Sequence, residues 1–199
     1  MKFGLACEGV TDHIAIENIL CGYFKDLEGD EITHLQPQLD ETSENQLNFG
    51  GWEKLLEYLQ SMYFREIVLN TDFIIIQLDS DISEHENFGV SHCGEIEIVI
   101  ENIKNRLISI INAEESGFFT QYADKIIFAI CVHSLECWLY AYHNKKPLNK
   151  PKITGCGKAL NYLLNENGFS GEKDKRLYKK YSKFFQFGIT VTFPNSPFP

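Results

Sequence analysis

The chain has 199 residues, 44% of them hydrophobic, which suffices for one substantial core with an appendage and excludes two equal domains. No uninterrupted apolar run reaches the roughly 18 to 20 residues of a membrane span, and Glu8 and Asp12 stand where a signal peptide is apolar. We therefore predict a cytoplasmic protein. The net charge of −10 argues against a uniformly basic nucleic-acid-binding surface.

The N-terminal residues predict a strand, a tight turn and a helix. Residues 3 to 7 form a short apolar run that stops at Glu8-Gly9. Thr11 is the predicted N-cap of the helix that follows, and Asp12 lies in its first turn, where the helix dipole favours a negative charge. The apolar residues with helical spacing are Ile14, Ile16, Ile19 and Leu20.

The middle of the chain continues the alternation of strands and helices. Phe73 to Leu78 is a continuous apolar run, typical of a strand buried on both faces of a parallel sheet, and Asp79-Ser80-Asp81 follows it. The other predicted elements are a weak strand over 32–35, a loop over 37–51, a helix from Trp52 to near Phe64, a loop over 82–94, a helix over 95–112, a strand over 126–132 and a helix over 134–142. This order predicts an α/β fold with a mainly parallel sheet flanked by helices.

The composition changes after about residue 145. Residues 1–144 hold 7 Lys and Arg against 25 Asp and Glu, whereas residues 145–199 hold 11 against 3. We predict an acidic N-terminal domain over 1–145 and a basic, mostly helical C-terminal extension over 146–199, with helices near 157–166 and 174–185. The extension's basic residues either contact nucleic-acid phosphates or form a solvated helix face: Lys152, Lys158, Lys175, Arg176, Lys179 and Lys180. Residues 187–199 carry no helical pattern.

The six cysteines are scattered and form no CxxC pair. Free cysteine packs as a small hydrophobe, so we predict reduced, buried thiols. Cys131, His133 and Cys137 lie close in sequence but lack the second pair that would complete a tetrahedral zinc site.

Acidic residues follow two of the predicted strands. Ligands bind at the carboxyl ends of the strands in an open parallel sheet, and Glu8, Asp79 and Asp81 lie there. If the strand continued through them, Asp79 and Asp81 would project on the same side, where neighbouring carboxylates favour Mg²⁺. Each also has an ordinary interpretation, Glu8 as a surface residue, Asp12 as a first-turn acid and the Asp pair as a turn.

The motifs Glu8-Gly9-Val10-Thr11-Asp12 and Leu78-Asp79-Ser80-Asp81 resemble those of the TOPRIM domain of primases, topoisomerases and OLD-type nucleases. Together with the segment from Val132 to Leu139, they are most similar to small stand-alone TOPRIM proteins of bacterial phage-defence loci. The resemblance covers about residues 1–145 and implies a TOPRIM-like, Rossmann-like fold.

The resemblance also implies roles for individual residues. Glu8 would be a metal-binding or general acid/base carboxylate, Asp79 and Asp81 would bind Mg²⁺ or Mn²⁺, and Asp12 would support a second ion. Glu136 is either a further ligand or a first-turn helix acid. The candidates for a positive group near the phosphate are Lys125, Lys152 and Lys158, while His133 either contacts phosphate or packs in the core.

The implied function is hydrolysis of DNA or RNA by a metal-dependent endonuclease. Similar phage-defence proteins work with a partner ATPase and act by abortive infection, so both are expected here by resemblance alone. The alternative is a non-catalytic TOPRIM-fold module that binds protein or nucleic acid. A homo-oligomer and a monomer are both compatible with the sequence.

Overall fold

The computed structural model describes residues 1–27, 31–38, 50–91, 95–144, 154–165 and 175–183. Its strands are β1 (Phe3–Ala6), β2 (Ile32–Gln36), β3 (Phe73–Asp79) and β4 (Ile126–Cys131). Its α-helices are α1 (Val10–Tyr23), α2 (Trp52–Gln60), α3 (Met62–Asn70), α4 (Ile96–Ile111), α5 (Phe118–Gln121), α6 (Leu135–His143), α7 (Cys156–Asn165) and α8 (Lys175–Ser182). Most of the predicted loop over 37–51, Lys152 and the whole stretch 187–199 lie outside these ranges.

The four strands form one sheet in the order β2-β1-β3-β4, and every neighbouring pair is parallel. The β3 residues from Ile74 to Asp79 are all buried, as expected for a central strand that carries helices on both faces. The predicted α/β architecture with a parallel sheet flanked by helices is therefore confirmed.

Each face of the sheet has its own hydrophobic core. On one face, α2, α3 and α4 pack against β3 through residues that include Leu59, Phe64, Ile76 and Leu107. On the other face, α1 packs against β1 and β3 through residues that include Leu5, Ile16 and Ile75. The alternation of side chains along a strand sends Ile75 to one core and Ile76 to the other.

The two C-terminal helices pack onto the second of these faces. Leu160 and Leu164 of α7 and Tyr178 and Tyr181 of α8 share a buried cluster with residues of α1 and α6, among them Ala15, Leu135 and Leu139. The predicted helices near 157–166 and 174–185 are thus confirmed. Among the described residues, no helix is both long and apolar enough to span a membrane.

Three local predictions are wrong. Helix α1 begins after Gly9, which is its N-cap, so Thr11 lies inside the first turn instead of capping it. The helix expected from Trp52 to Phe64 is two helices, because Ser61 adopts an extended backbone and caps α3 by accepting a hydrogen bond from Phe64 N. Beyond β3 the chain turns into a short 3-10 helix over Ser80–Glu84, and the expected loop over 82–94 holds a second one at Glu86–Phe88.

The prediction of reduced cysteines is wrong for one pair. Cys137 of α6 and Cys156 of α7 form a disulfide, while Cys7, Cys21 and Cys131 are free thiols. The bond joins residues that are 19 apart in sequence and holds α7 against α6. Because Cys137 is in this disulfide, it is not available to bind zinc together with Cys131 and His133.

The disulfide is expected to contribute to stability. A cross-link that closes a loop of this length restricts the unfolded chain, so we expect Cys156→Ser to lower the free energy of unfolding by about 3 kcal/mol. Urea denaturation with and without dithiothreitol measures this. Cys21→Ser, which alters a partly exposed free thiol, is the control. An equal denaturation midpoint for oxidised and reduced wild-type protein would contradict the expectation.

Candidate metal centre

The centre of the sheet provides a natural binding crevice. From β1 the chain crosses to β2 on one side, and β3 then pairs with β1 on the other side. In open parallel sheets the carboxyl ends of two such strands border the crevice where ligands bind. Glu8 lies just beyond the end of β1 and Asp79 is the last residue of β3, so the two predicted carboxylates flank this point.

Asp79 is buried at the end of β3. Its Oδ1 accepts hydrogen bonds from Gln77 Nε2 at 3.0 Å and from the backbone N of Leu135 at 3.1 Å. Burial, together with the negative charges of Asp12, Glu8, Glu136 and Asp81, raises the pKa of Asp79 to about 9. The structure thus brings all five predicted acids into one electrostatic neighbourhood around Asp79.

Gly9 leaves space for the Asp12 carboxylate. Asp12 is buried in the first turn of α1, and a Cβ added to Gly9 would lie 2.9 Å from Asp12 Oδ2. This distance is closer than a carbon and an oxygen can approach, so any side chain at position 9 would displace the carboxylate. The glycine of the Glu-Gly motif therefore has a steric reason.

We expect Gly9→Ala to disturb the site more than the fold. The backbone at Gly9 is extended, which alanine also adopts, so the stability cost should stay below about 1 kcal/mol. The displaced Asp12 carboxylate should nonetheless lower Mn²⁺ affinity, measured by calorimetry, by about tenfold. Thr11→Ala is the matched control in the same turn. Unchanged Mn²⁺ affinity in Gly9→Ala would contradict this role of the glycine.

Asp81 does not point along a continued strand, because it belongs to the 3-10 helix after β3. It is partly exposed, and its Oδ2 lies 3.9 Å from His133 Nδ1. The loops after β3 and β4 are tied together here, since Asp81 N donates to His133 O and His133 N donates to Ser80 Oγ. His133 has a φ of 63°, a left-handed backbone that is uncommon for residues other than glycine. Its half-buried side chain therefore borders the site.

Glu136 is buried in the first turn of α6, at the end of the sheet where Asp79 lies. The hydroxyl of Tyr178, which comes from α8, donates a hydrogen bond to Glu136 Oε1. Burial raises the pKa of Tyr178, and the charges of Glu136, Asp12 and Asp79 raise it further. Helix α8 thus reaches the candidate centre.

Gln77 is a site residue that sequence reasoning missed. It is fully buried in β3, where its Oε1 accepts from Glu8 N at 3.3 Å while its Nε2 donates to Asp79. One amide therefore connects the ends of β1 and β3. The available signal was a glutamine inside an otherwise apolar strand, because a buried amide needs hydrogen-bond partners.

The predicted basic residues divide into three groups. Lys125 lies just before β4, at the opposite end of the sheet, where its Nζ donates to the backbone oxygens of Val68 and Thr71. Its predicted role beside the phosphate is therefore wrong. Lys158, Lys179 and Lys180 are exposed on α7 and α8. Lys175 and Arg176 belong to α8, but their side chains, like the whole of Lys152, lie outside what the structure describes.

The donor chemistry of this cluster suits Mg²⁺ or Mn²⁺, which prefer carboxylate oxygens. Burial and the neighbouring acids raise the pKa of Asp79, so a cation bound among these acids would stabilise its ionised form. Within the described ranges, no group of three or more His, Cys, Asp or Glu side chains is arranged to hold a metal ion. Ligation of an ion would therefore require these side chains to converge.

Comparison of the chain with models of protein families, with curated proteins and with solved structures finds no match. The assignment of a function therefore rests on the residues and the fold.

Proposed function

We propose that the chain is a Mg²⁺- or Mn²⁺-dependent endonuclease with a TOPRIM-like centre. The observation that carries this proposal is the position of Asp79, buried at the switch point of a parallel sheet and surrounded by four other acids. Buried acids that repel one another cost stability, and such a cost is typical of functional sites. A divalent cation is the partner that would offset it.

Each acid has a proposed role in holding two ions. Glu8, Asp79 and Asp81 would bind the first ion, and Asp12 and Glu136 would hold the second. When bound, such ions stabilise the charge that develops on a phosphodiester and lower the pKa of a water molecule. Glu8 is partly exposed at the crevice and would take the proton from that water, while Gln77 keeps Asp79 and the end of β1 in register.

The exposed lysines support a nucleic-acid substrate. Lys158 is on α7 and Lys179 and Lys180 are on α8, and both helices pack beside α6, which carries Glu136. Lysines bind the phosphate backbone without reading sequence, so they suit an enzyme that accepts many substrates. Lys152, Lys175 and Arg176 would extend the same surface.

The biological setting is proposed from the resemblance to phage-defence proteins. In that setting the nuclease would act in the cytoplasm, would be controlled by a partner ATPase, and would cause abortive infection. The negative charge of residues 1–144 is compatible with control by a partner, because it disfavours association with nucleic acid until the basic helices contact the phosphates.

The alternative is a binding module that has the fold without the catalysis. One observation favours this alternative, because the acids among the described residues are not arranged to hold an ion. The burial of Asp79 among other acids favours the enzyme, because a binding module has no need for so costly an arrangement.

A cleavage assay decides between the two. Plasmid DNA and tRNA are incubated with the chain and Mn²⁺, with EDTA, and with Asp79→Ala in place of the wild type. The proposal requires cleavage that both the chelator and the substitution abolish. Cleavage that survives both would overturn the metal mechanism, and absence of cleavage together with tight substrate binding would favour the binding module.

A further inference from the structure

Helix α8 places a tyrosine hydroxyl among the acids of the candidate centre. Tyr178 and Glu136 are each only 6% exposed, and the hydroxyl donates to Glu136 Oε1. The residues belong to α8 and α6, 42 positions apart in sequence, so this contact exists only because the C-terminal helix packs on the body. A buried tyrosine hydroxyl and a buried carboxylate both need partners, and here each supplies the other's.

The backbone around Tyr178 is held from two sides. Asn18 of α1 donates to Ser182 Oγ at 2.6 Å, and Ser182 Oγ donates to Tyr178 O at 2.5 Å. On the other side, His143 Nε2 of α6 donates to Tyr181 O at 3.0 Å. These buried and half-buried contacts fix α8 against α1 and α6, so the position of the Tyr178 hydroxyl is set by the fold rather than by a flexible tail.

A fixed neutral donor has a definite effect on a carboxylate. It favours the ionised form and orients the carboxylate plane, while a carboxylate can accept about four bonds in all, so Glu136 keeps the capacity to bind a cation as well. Partners of this kind behind a ligand affect metal affinity by about tenfold to hundredfold.

We propose that Tyr178 is a positioning residue that orients Glu136 as a ligand of the second metal ion, so that helix α8 forms part of the centre. This inference rests on the proposed function. It follows that α8 has two functions. Tyr178 supports a metal ligand, and the next two residues, Lys179 and Lys180, are exposed. The basic extension is then more than a surface for phosphates.

The test uses the full chain and Mn²⁺ alone, titrated by calorimetry. Tyr178→Phe removes only the hydroxyl, and we expect Mn²⁺ affinity at one of two sites to fall by about tenfold to hundredfold while the other site is unchanged. Tyr181→Phe on the same helix is the control and should bind Mn²⁺ as the wild type does. Circular dichroism checks that each variant is folded.

A double-mutant cycle separates positioning from a general loss of packing. If Tyr178 acts through Glu136, Tyr178→Phe should lower Mn²⁺ affinity in the wild-type background and leave it unchanged in Glu136→Gln. Equal losses in both backgrounds would overturn the positioning role. Wild-type affinity in Tyr178→Phe would overturn it too while leaving the nuclease proposal intact, whereas a wild-type chain that binds no Mn²⁺ would overturn both.

Discussion

Asp79→Asn should make the metal-free protein more stable and, at the same time, abolish metal-dependent cleavage. Asparagine keeps an oxygen that can accept the hydrogen bonds from Gln77 and Leu135, but it carries no ionisable group. We expect the free energy of unfolding at pH 7 to rise by about 2–4 kcal/mol, because the cost of burying the acid disappears. Cleavage should fall by roughly a thousandfold or more.

The raised pKa of Asp79 determines how its contribution to stability changes with pH. Burial and neighbouring acids raise the pKa of Asp79 from 3.8 to about 9, so between these values the folded chain holds a proton that the unfolded chain has lost. The contribution of Asp79 is therefore fully present below pH 3.8 and is lost as the pH rises toward 9, at up to about 1.4 kcal/mol per pH unit. The stability of Asp79→Asn relative to the wild type should therefore increase between pH 3.8 and pH 9.

Urea denaturation in EDTA from pH 5 to pH 9 measures this difference. Asp124→Asn, which alters an exposed acid near β4, is the control and should track the wild type. If Asp79→Asn were instead less stable than the wild type at pH 8, Asp79 would be ionised and balanced by a positive group of the protein. The argument for a missing divalent cation would then fail.

His13→Gln should protect the protein against acid. His13 is fully buried in α1, its Nε2 donates to Gln36 O at 2.8 Å, and its ring stacks on His34 with centroids 4.5 Å apart. Burial, together with the charge of His34, lowers the pKa of His13 to about 3. Between pH 6.5 and pH 3 the unfolded chain therefore binds a proton that the folded chain excludes, and stability falls as the pH falls.

This histidine alone changes the free energy of unfolding by up to about 1.4 kcal/mol per pH unit. Between pH 7 and pH 4.5 the free energy of unfolding of His13→Gln should therefore rise by about 2–3 kcal/mol relative to that of the wild type. The opposite slope of Asp79 is common to both proteins and cancels in the comparison. Thermal unfolding at pH 7, 5.5 and 4.5 gives the measurement, with the exposed His85→Gln as control. Parallel loss of stability in wild type and His13→Gln would contradict the assignment.

The sheet and most helices could be predicted because their signals are local. The run from Phe73 to Leu78 is apolar at almost every position, which is typical of a strand with both faces covered. The position of the candidate site could be predicted for a related reason, since Glu8 and Asp79 end apolar strands and parallel strands end at one edge of the sheet. The break at Ser61 was missed because the apolar spacing continues across it, although serine is a common helix cap.

The features that could not be predicted depend on contacts between distant residues. Tyr178 meets Glu136, and Cys137 meets Cys156, only after α7 and α8 pack against α6. Periodicity shows that α8 has an apolar side but not which surface that side covers. Lys125 illustrates the converse, because a lysine near the start of a strand lies at the far end of the sheet from the site.

The central claim is that the acids around Asp79 bind divalent cations, and diffraction from crystals soaked in Mn²⁺ tests it most directly through the anomalous signal of the metal. The account predicts two ions roughly 3.5–4 Å apart at the carboxyl ends of β1 and β3, with Asp79 among the ligands. Mn²⁺ that binds elsewhere, or a centre that stays metal-free at concentrations that support cleavage, would contradict it.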